Sequence, residues 1–337
     1  MNLSGNEIDI AVSTRIRLAR NVRSIPYPAR MTAQMARDMI SRVWDAVKNS
    51  PIGEKAKLFE MENLSEMQKQ SLIERHLIST QLAKSALPAA VIISDDERVS
   101  IMVNEEDHIR LQVFYEGLDA EGAYEYAKQI EKAIAKEIEF DTDEEFGFLT
   151  SCPTNAGTGL RASVMLHLPA ISLTKSVNPL IKWAANLGMT VRGLYGEGSK
   201  ASGALFQLSN QITLGTSEKE IISRFTAAAC SLLSEERRIC AEIYEKSPSM
   251  IKDKCLRSLG LLKYGYMISS NEAIELVSDV CMGKNTGIIK NINLASLREE
   301  MFNTMPATLC RDYENLSPEE RDVKRAQRLQ TVLSKEE

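Results

Sequence analysis

The chain has 337 residues, 44% of them hydrophobic and 26% charged, a balance that excludes a wholly disordered or fibrous protein. A chain of this length folds without a disulfide or metal staple, into about two domains. Lys and Arg total 41 against 46 Asp and Glu, so the net charge is −5, a poor start for a general nucleic-acid binder.

Residues 13–18 alternate. Val12, Ile16 and Leu18 face one way, and Ser13, Arg15 and Arg17 the other, which predicts a half-buried strand with a cationic face. Thr32 then caps a helix carrying Met35, Met39, Ile40, Val43, Trp44 and Val47 at three- and four-residue spacing. Residues 89–93 and 99–103 are apolar runs joined by Ser94-Asp95-Asp96-Glu97-Arg98, and read as a hairpin. Residues 109–114 make a third strand, and Ala123, Ala127, Ile130 and Ile134 mark a helix.

From 160 to 168 an apolar face (Leu160, Ala162, Val164, Leu166, Leu168) alternates with Arg161, Ser163, Met165 and His167. Asn178-Pro179 opens a helix that Gly188 closes. Residues 189–194 and 204–213 are further strands. Ser217 and Glu220 form a capping box before a long helix that ends near Ser247-Pro248-Ser249. The domain boundary belongs there. Residues 1–246 form an α+β domain, an antiparallel sheet with helices packed on it, and residues 247–337 an all-helical domain.

No apolar run approaches the roughly 18 residues of a membrane helix. The first residues, Met1-Asn2-Leu3-Ser4-Gly5-Asn6-Glu7, carry no basic stretch and no apolar core, so a cytoplasmic location is expected. None of the six cysteines sits in a C-x-x-C pair, and His occurs only at 76, 108 and 167, so no protein-held metal site is expected. Glycines cluster between 147 and 215. Loops that approach a ligand closely need glycine, which places the chemistry in the middle of the chain.

Three elements there carry chemistry. Arg15, Arg17, Arg110, Arg161 and Arg192 recur on separate strands, and planar guanidinium groups match phosphate oxygens in pairs. The chain has no G-x-x-x-x-G-K-[ST] loop and no kinase-type glycine loop. Carboxylates occur in Asn104-Glu105-Glu106-Asp107-His108 and in Tyr195-Gly196-Glu197-Gly198; each alone reads as a charged turn. Residues 150–159 form an uncharged loop with Cys152 before Pro153. That cysteine is either a buried small hydrophobe or a thiolate favoured by nearby cations.

Ser-Thr-Arg-Ile-Arg at 13–17, Asn-Glu-Glu-Asp-His-Ile-Arg at 104–110, Cys-Pro-Thr-Asn-Ala-Gly-Thr at 152–158 and Arg-Gly-Leu-Tyr-Gly-Glu at 192–197 together resemble the phosphagen (guanidino) kinases, which include arginine and creatine kinase. The resemblance runs from residue 10 to residue 245 and implies their glutamine-synthetase-like catalytic fold. It implies that Glu106 is the base, Glu197 its positioning partner, and Cys152 an aligning contact on the guanidinium; Glu105 is structural or assists. It further implies an ATP site built from Ser13, Thr14, Arg15, Ile16, Arg17, His76, Arg110, Arg161, Ala162, Ser163, Val164, Met165, Arg192, Gly193, Leu194, Tyr195, Gly196 and Glu197. Mg²⁺ comes with the nucleotide and takes few protein ligands.

Small-substrate members carry a helical N-terminal domain, whereas here only twelve residues precede Ser13. The C-terminal segment Arg321-Asp322-Val323-Lys324-Arg325-Ala326 resembles the phosphoarginine-binding R-D-x-x-R-A segment of the bacterial protein-arginine kinases. Arg321 and Arg325, four apart on a helix begun by Ser317-Pro318, would share a face that an anion bridges, with Asp322 accepting from the same ligand. The resemblance thus implies an ATP-dependent kinase of arginine side chains in proteins. Its implied partners are substrate proteins with exposed arginines, a heat-shock repressor, the Clp protease machinery and a zinc-binding activator protein. A homodimer or higher oligomer is expected, with no membrane and no direct nucleic-acid contact. A kinase of free arginine or another small guanidino compound is one alternative. A non-catalytic phosphoarginine-reading adaptor is another.

Overall fold

The alternation around Arg15 is a strand in the computed structural model, β1 (Ala11–Arg20). The structure describes residues 7–174, 176–193, 202–313 and 316–334. After β1 come α1 (Ala33–Lys48), β2 (Lys57–Glu60), α2 (Glu66–Glu74), α3 (Thr80–Ala83), β3 (Ala90–Ile93), β4 (Val99–Val103), β5 (Ile109–Glu116) and α4 (Ala120–Ile134). A small hairpin, β6 (Thr142–Asp143) and β7 (Gly147–Phe148), leads to β8 (Leu160–His167), α5 (Pro169–Leu173), α6 (Val177–Asn186), β9 (Met189–Gly193) and β10 (Leu205–Asn210). The rest is helical: α7 (Glu218–Lys246), α8 (Pro248–Tyr264), α9 (Ser270–Asn285), α10 (Leu294–Asn303), α11 (Pro306–Asp312) and α12 (Pro318–Ser334).

Eight strands form one antiparallel sheet in the order β2-β3-β4-β5-β1-β8-β10-β9. The chain's first strand is thus central. Ile16, Leu18, Leu111, Val113, Ala162 and Val164 bury one face in a large apolar core shared with α1, α4 and α7. Each such fully buried aliphatic side chain contributes about 1.5–3 kcal/mol. Thr32 accepts a hydrogen bond from Met35 N and starts α1, as its sequence predicts. At the β2–β3–β4 end, a second cluster of Leu72, Leu77, Ile78, Leu82, Val91 and Met102 covers the opposite face. The middle of that face, on β5, β1 and β8, carries the arginines.

Some boundaries differ from the sequence expectation. The strand expected over 204–213 spans only Leu205–Asn210. It is preceded by a turn in which Gly203 has φ +60, and it ends where the Asn210 amide turns back to donate to Leu160 O and Ile212 O. Only half of the Ser217 capping box forms: Ser217 Oγ accepts from Glu220 N, while the Glu220 carboxylate accepts from Thr216 Oγ1.

α7 passes into α8 at Ser247, yet the apolar core does not stop there. Ile251, Cys255, Leu262, Ala273 and Ile274 belong to the same cluster as the sheet. A Cβ on Gly203 would lie 2.5 Å from Ile274 Cγ2, so the turn before β10 presses against α9. Gly203 N donates to Glu275 (2.8 Å), and His167 Nε2 meets Ser278 Oγ (2.8 Å).

Candidate active site

The strand register assembles the arginine cluster. Arg17 lies opposite Arg161 on β8, Arg15 opposite Ser163, and Ala19 opposite Arg110 on β5. Side chains of one face therefore bring Arg15, Arg17, Arg110 and Arg161 together although they are up to 146 positions apart in sequence. Arg192 on β9 extends the row at the far side of β10, where it pairs with Gln207 and is solvent-exposed.

Among the described residues, carboxylates pair only with Arg110 of this cluster. Among the described residues, Arg15 Nε reaches only Ser163 Oγ (3.5 Å), and an Arg161 Nη reaches Ser209 Oγ (3.3 Å). The Nε atoms of Arg17 and Arg161 are buried without a hydrogen-bond partner among the described residues. Burial, and then the like charges of Arg161 and Arg110, push Arg15 down to about 10. Burial, then Arg15, Arg161 and Arg110, hold Arg17 well below its ordinary value. Arg161 is lowered by burial and by Arg192 and Arg110. Buried like charges in this state are satisfied by a ligand with several anionic oxygens.

The acidic run 104–108 is a tight loop rather than a solvated turn. Asn104 has φ +59 and is buried, its amide donating to Ala36 O and Pro88 O. Glu105 is buried and accepts from Arg110 (2.7 Å) and from Ser79 Oγ. These contacts fix its carboxylate within the loop. Glu106 keeps one ion pair, to an Arg110 Nη at 3.0 Å, and its side chain remains 31% exposed. Burial, with Asp107 and Glu105 nearby, raises the Glu106 pKa against the opposing pull of Arg110.

Asp107 and Ser151 bolt this loop to the cysteine loop. Asp107 accepts from Asn21 Nδ2 and from Ser151 N, both at 2.7 Å, and Ser151 Oγ donates to Glu106 O (2.7 Å). Cys152 is half-buried, with its Sγ 3.0 Å from Thr154 Oγ1. Gly157, at φ +101, lets the loop press on Thr213, whose carbonyl oxygen would be 2.3 Å from any Cβ there.

His76 sits at φ +60 between α2 and α3. Ser100 Oγ and Gln112 Nε2 hold the next carbonyl, Leu77 O, to the sheet. Burial, and then Arg15, push the His76 pKa down to about 4, and its Nε2 has no hydrogen-bond partner among the described residues. Thr14 and Ile16 point into the opposite side of β1; Thr14 Oγ1 donates to Gly117 O (2.7 Å) and Ile16 is in the core. Ala162 and Val164 are likewise core residues, whereas Ser13, Ser163 and Met165 line the same cavity as Arg15 and His76. Gly193 ends β9, and Leu194, Tyr195, Gly196 and Glu197 lie outside the described residues.

Sequence reading missed Arg20. This side chain, 1% exposed, donates to Glu131 (2.5 Å), Ala19 O (2.7 Å), Thr158 O (3.0 Å) and Glu218 (3.3 Å), and stacks on Phe148 at 3.5 Å. It ties the end of β1 to α4, α7 and the base of the cysteine loop. Only its place at the end of an arginine-rich strand hinted at it.

In the C-terminal segment, Arg325 does not share an outer face with Arg321. It is 1% exposed and donates to Ile268 O (2.8 Å), Thr304 O (2.9 Å) and Asp322 (2.5 Å). These three bonds let a buried guanidinium sit against the α8–α9 and α10–α11 connections. Ala326 is buried, and Val323 and Lys324 are half-buried, with Lys324 over the Tyr313 ring (5.3 Å). Arg321 is half-buried and among the described residues makes only long contacts, 3.4 Å to Leu316 O and 3.8 Å to Cys310 Sγ. Ser317 and Glu320 form a complete capping box at the start of α12.

Residues 38–239 match the family described as ATP:guanido phosphotransferase, C-terminal catalytic domain. Residues 248–337 match the protein-arginine kinase McsB C-terminal domain. The protein-arginine kinase of Halothermothrix orenii is 42% identical over 332 residues, covering 98% of this chain and 95% of the relative. That of Caldanaerobacter subterraneus subsp. tengcongensis is also 42% identical, over 98% of each. Lombricine kinase shares the fold, with a TM-score of 0.63 at 23% identity, over 70% of this chain and 68% of that one. The chain belongs to the guanido phosphotransferase family, in the branch that carries the protein-arginine kinase C-terminal domain, and it is a kinase.

Proposed function

We propose that the protein transfers the γ-phosphoryl group of ATP to arginine side chains of other proteins. The observation that carries this is the anion-poor arginine cluster on β1, β5 and β8, set beside the Glu106 loop. Relatives 42% identical over nearly the whole chain are named protein-arginine kinases. The guanidinium of arginine has a pKa above about 12 and is no nucleophile while charged. Glu106 accepts a proton from its nitrogen as the P–N bond forms and the bond to the ADP oxygen breaks. Glu197, by family resemblance, orients the guanidinium from the other side, and Cys152 aligns its edge. Arg15, Arg17, Arg110, Arg161 and Arg192 hold the phosphates in line and offset their charge, the main requirement of phosphoryl transfer. Mg²⁺, carried by the nucleotide, further neutralises the phosphates. Glu105 and Asp107 are already engaged by Arg110, Asn21 and Ser151, which fits a metal held by phosphate oxygens and not by a protein cage.

The direct test is incubation with ATP and an unfolded protein, followed by mass spectrometry under non-acidic conditions, because P–N bonds are acid-labile. Phosphate on protein arginine is expected. Transfer to free arginine alone would make the protein a small-guanidino kinase, and no transfer with intact phosphoarginine binding would make it a reader.

Ligand binding has a stability signature. ATP at ~100 times its Kd stabilises the fold by ~2.7 kcal/mol, so the melting midpoint rises by several degrees. Arg15→Gln removes one of the mutually repelling cations, so the free protein melts higher while the ATP shift shrinks. A free variant that melts lower, with the full ATP shift retained, would show that Arg15 is neither strained nor a phosphate ligand.

Residues 1–246 work as the catalytic domain and 247–337 as a domain that senses phosphoarginine through the Arg321–Ala326 segment. Arg321 is the ligand-facing cation, and Arg325 positions the helix. Calorimetric titration of phosphoarginine is expected to bind the wild type and fail with Arg321→Ala, whose melting point stays normal. Equal binding by both would leave α12 as an ordinary helix. Family resemblance supports a cytoplasmic stress role, in which the kinase marks a heat-shock repressor and misfolded proteins for Clp protease, with a zinc-binding activator and self-association. No described helix is long and apolar enough to cross a membrane.

A further inference from the structure

The cavity beside the arginine cluster, about 930 Å³ in volume, has two unlike sides. One is the sheet, with Ser13, Arg15, Ser163, Met165 and Gln207. The other is α10 of the C-terminal helical region, with Ala295, Ser296, Glu299, Phe302 and Asn303.

Two anchors hold α10 and its successor against the catalytic sheet. Arg298, 6% exposed, donates to Ile8 O (2.5 Å) and Asp9 O (2.8 Å), just before β1. The Glu74 carboxylate, at the end of α2, accepts from Ala307 N (3.0 Å), Thr308 N (2.8 Å) and Thr308 Oγ1 (2.9 Å). Two residues after Glu74, His76 meets Phe302 edge to face at 6.2 Å. The buried His76 Nε2, without a hydrogen-bond partner among the described residues, belongs to this same cavity wall. Its ring is neutral at working pH, because burial pushes its pKa down to about 4, so it has a donor or acceptor to offer.

The register gives the cavity a direction. Glu106 contacts Arg110, which lies opposite Ala19, and Arg17 pairs with Arg161 at that same end. A γ-phosphoryl group beside Glu106 therefore lies near Arg17, Arg110 and Arg161. Arg15 and then Ser13 follow along β1, away from Glu106. The nucleoside end of the same molecule falls between Ser13 and α10.

We infer that α10 of the C-terminal region completes the nucleotide site, and that Asn303 reads the edge of the adenine base. The inference rests on the ATP reading of the arginine cluster. The Asn303 carboxamide is half-buried, lines the cavity and takes no hydrogen bond from the described residues. It offers a donor and an acceptor side by side, matching the N6 amino group and N7 of adenine. Guanine presents two acceptors on that edge.

The test measures binding to the full chain by displacement of a fluorescent ATP analogue. The competitors are ATP, GTP and inorganic triphosphate. Asn303→Leu should weaken ATP about tenfold and shrink the ATP-over-GTP preference by a similar factor. Ser296→Trp, which fills the cavity from the α10 side, should weaken both nucleotides and leave triphosphate unchanged. Arg15→Gln should weaken all three. Unchanged ATP and GTP binding in both α10 variants, with Arg15→Gln impaired, would overturn the role of α10 and leave the phosphate site standing. Unchanged binding in Arg15→Gln as well would overturn the phosphate site and this inference with it.

Discussion

Glu106→Gln is expected to lower turnover by about 10²–10⁴ while ATP affinity is unchanged. Glutamine has nearly the same size and still accepts the hydrogen bond from Arg110, so the loop at 104–108 keeps its shape. It cannot take the proton that the guanidinium must lose. The raised pKa of Glu106 brings the base closer to the acidity of the group it serves. A base acts only when deprotonated. The acidic limb of kcat/KM therefore falls at higher pH than for an ordinary glutamate, and it vanishes from the residual activity of the variant. Rates measured from pH 4 to 9 on a fixed protein substrate check this. Wild-type turnover in Glu106→Gln, or an unshifted limb that survives the substitution, would remove Glu106 from the role of base.

Arg20→Met carries the largest expected loss of stability, about 3–5 kcal/mol. Methionine fills the space over Phe148 but leaves the buried Glu131 with Lys128 as its one cationic neighbour among the described residues. Thr158 O and Ala19 O lose their donor as well. Arg20→Lys rescues little, because one ammonium does not span Glu131, Glu218 and two carbonyls as the planar fork does. Urea midpoints at constant slope measure the effect. A loss under ~1 kcal/mol would mean that water or Lys128 replaces the guanidinium, as at an exposed ion pair.

The sheet was legible in the sequence where its neighbours are local or its faces unlike. Arg15 and Arg17 alternate with Ile16 and Leu18, and residues 89–103 form a hairpin across a five-residue turn. Helix starts at Thr32, Ser217 and Ser317 were readable because a cap acts within four residues. The layer formed by β2 and α2 was not. α2 buries Ser71 and Leu72 while Met67 is 45% exposed, so no apolar stripe marks it. The site was legible as motifs, and its convergence is a matter of register that no local pattern holds. Arg325 was expected to share an anion-bridged face with Arg321; its burial could not be foreseen because its partners, Ile268 O and Thr304 O, lie in the α8–α9 and α10–α11 connections, far from it in sequence. Arg20 was passed over for the same reason.

The central place of β1 sets an order of events during synthesis. Arg20 pairs with Ile109 on one side, and Ala11 with Leu166 on the other. At ~5–20 residues per second the ribosome takes on the order of ten seconds to deliver the first partner, and longer for the second. Throughout that interval β1 has two bare edges, an open invitation to neighbouring chains. Arg15, Arg17 and Arg20 put three positive charges on those ten residues, and like charges discourage the stacking of nascent copies. All three thus act as gatekeepers for the newborn strand, and two of them, Arg15 and Arg17, are the cations proposed above to hold phosphate.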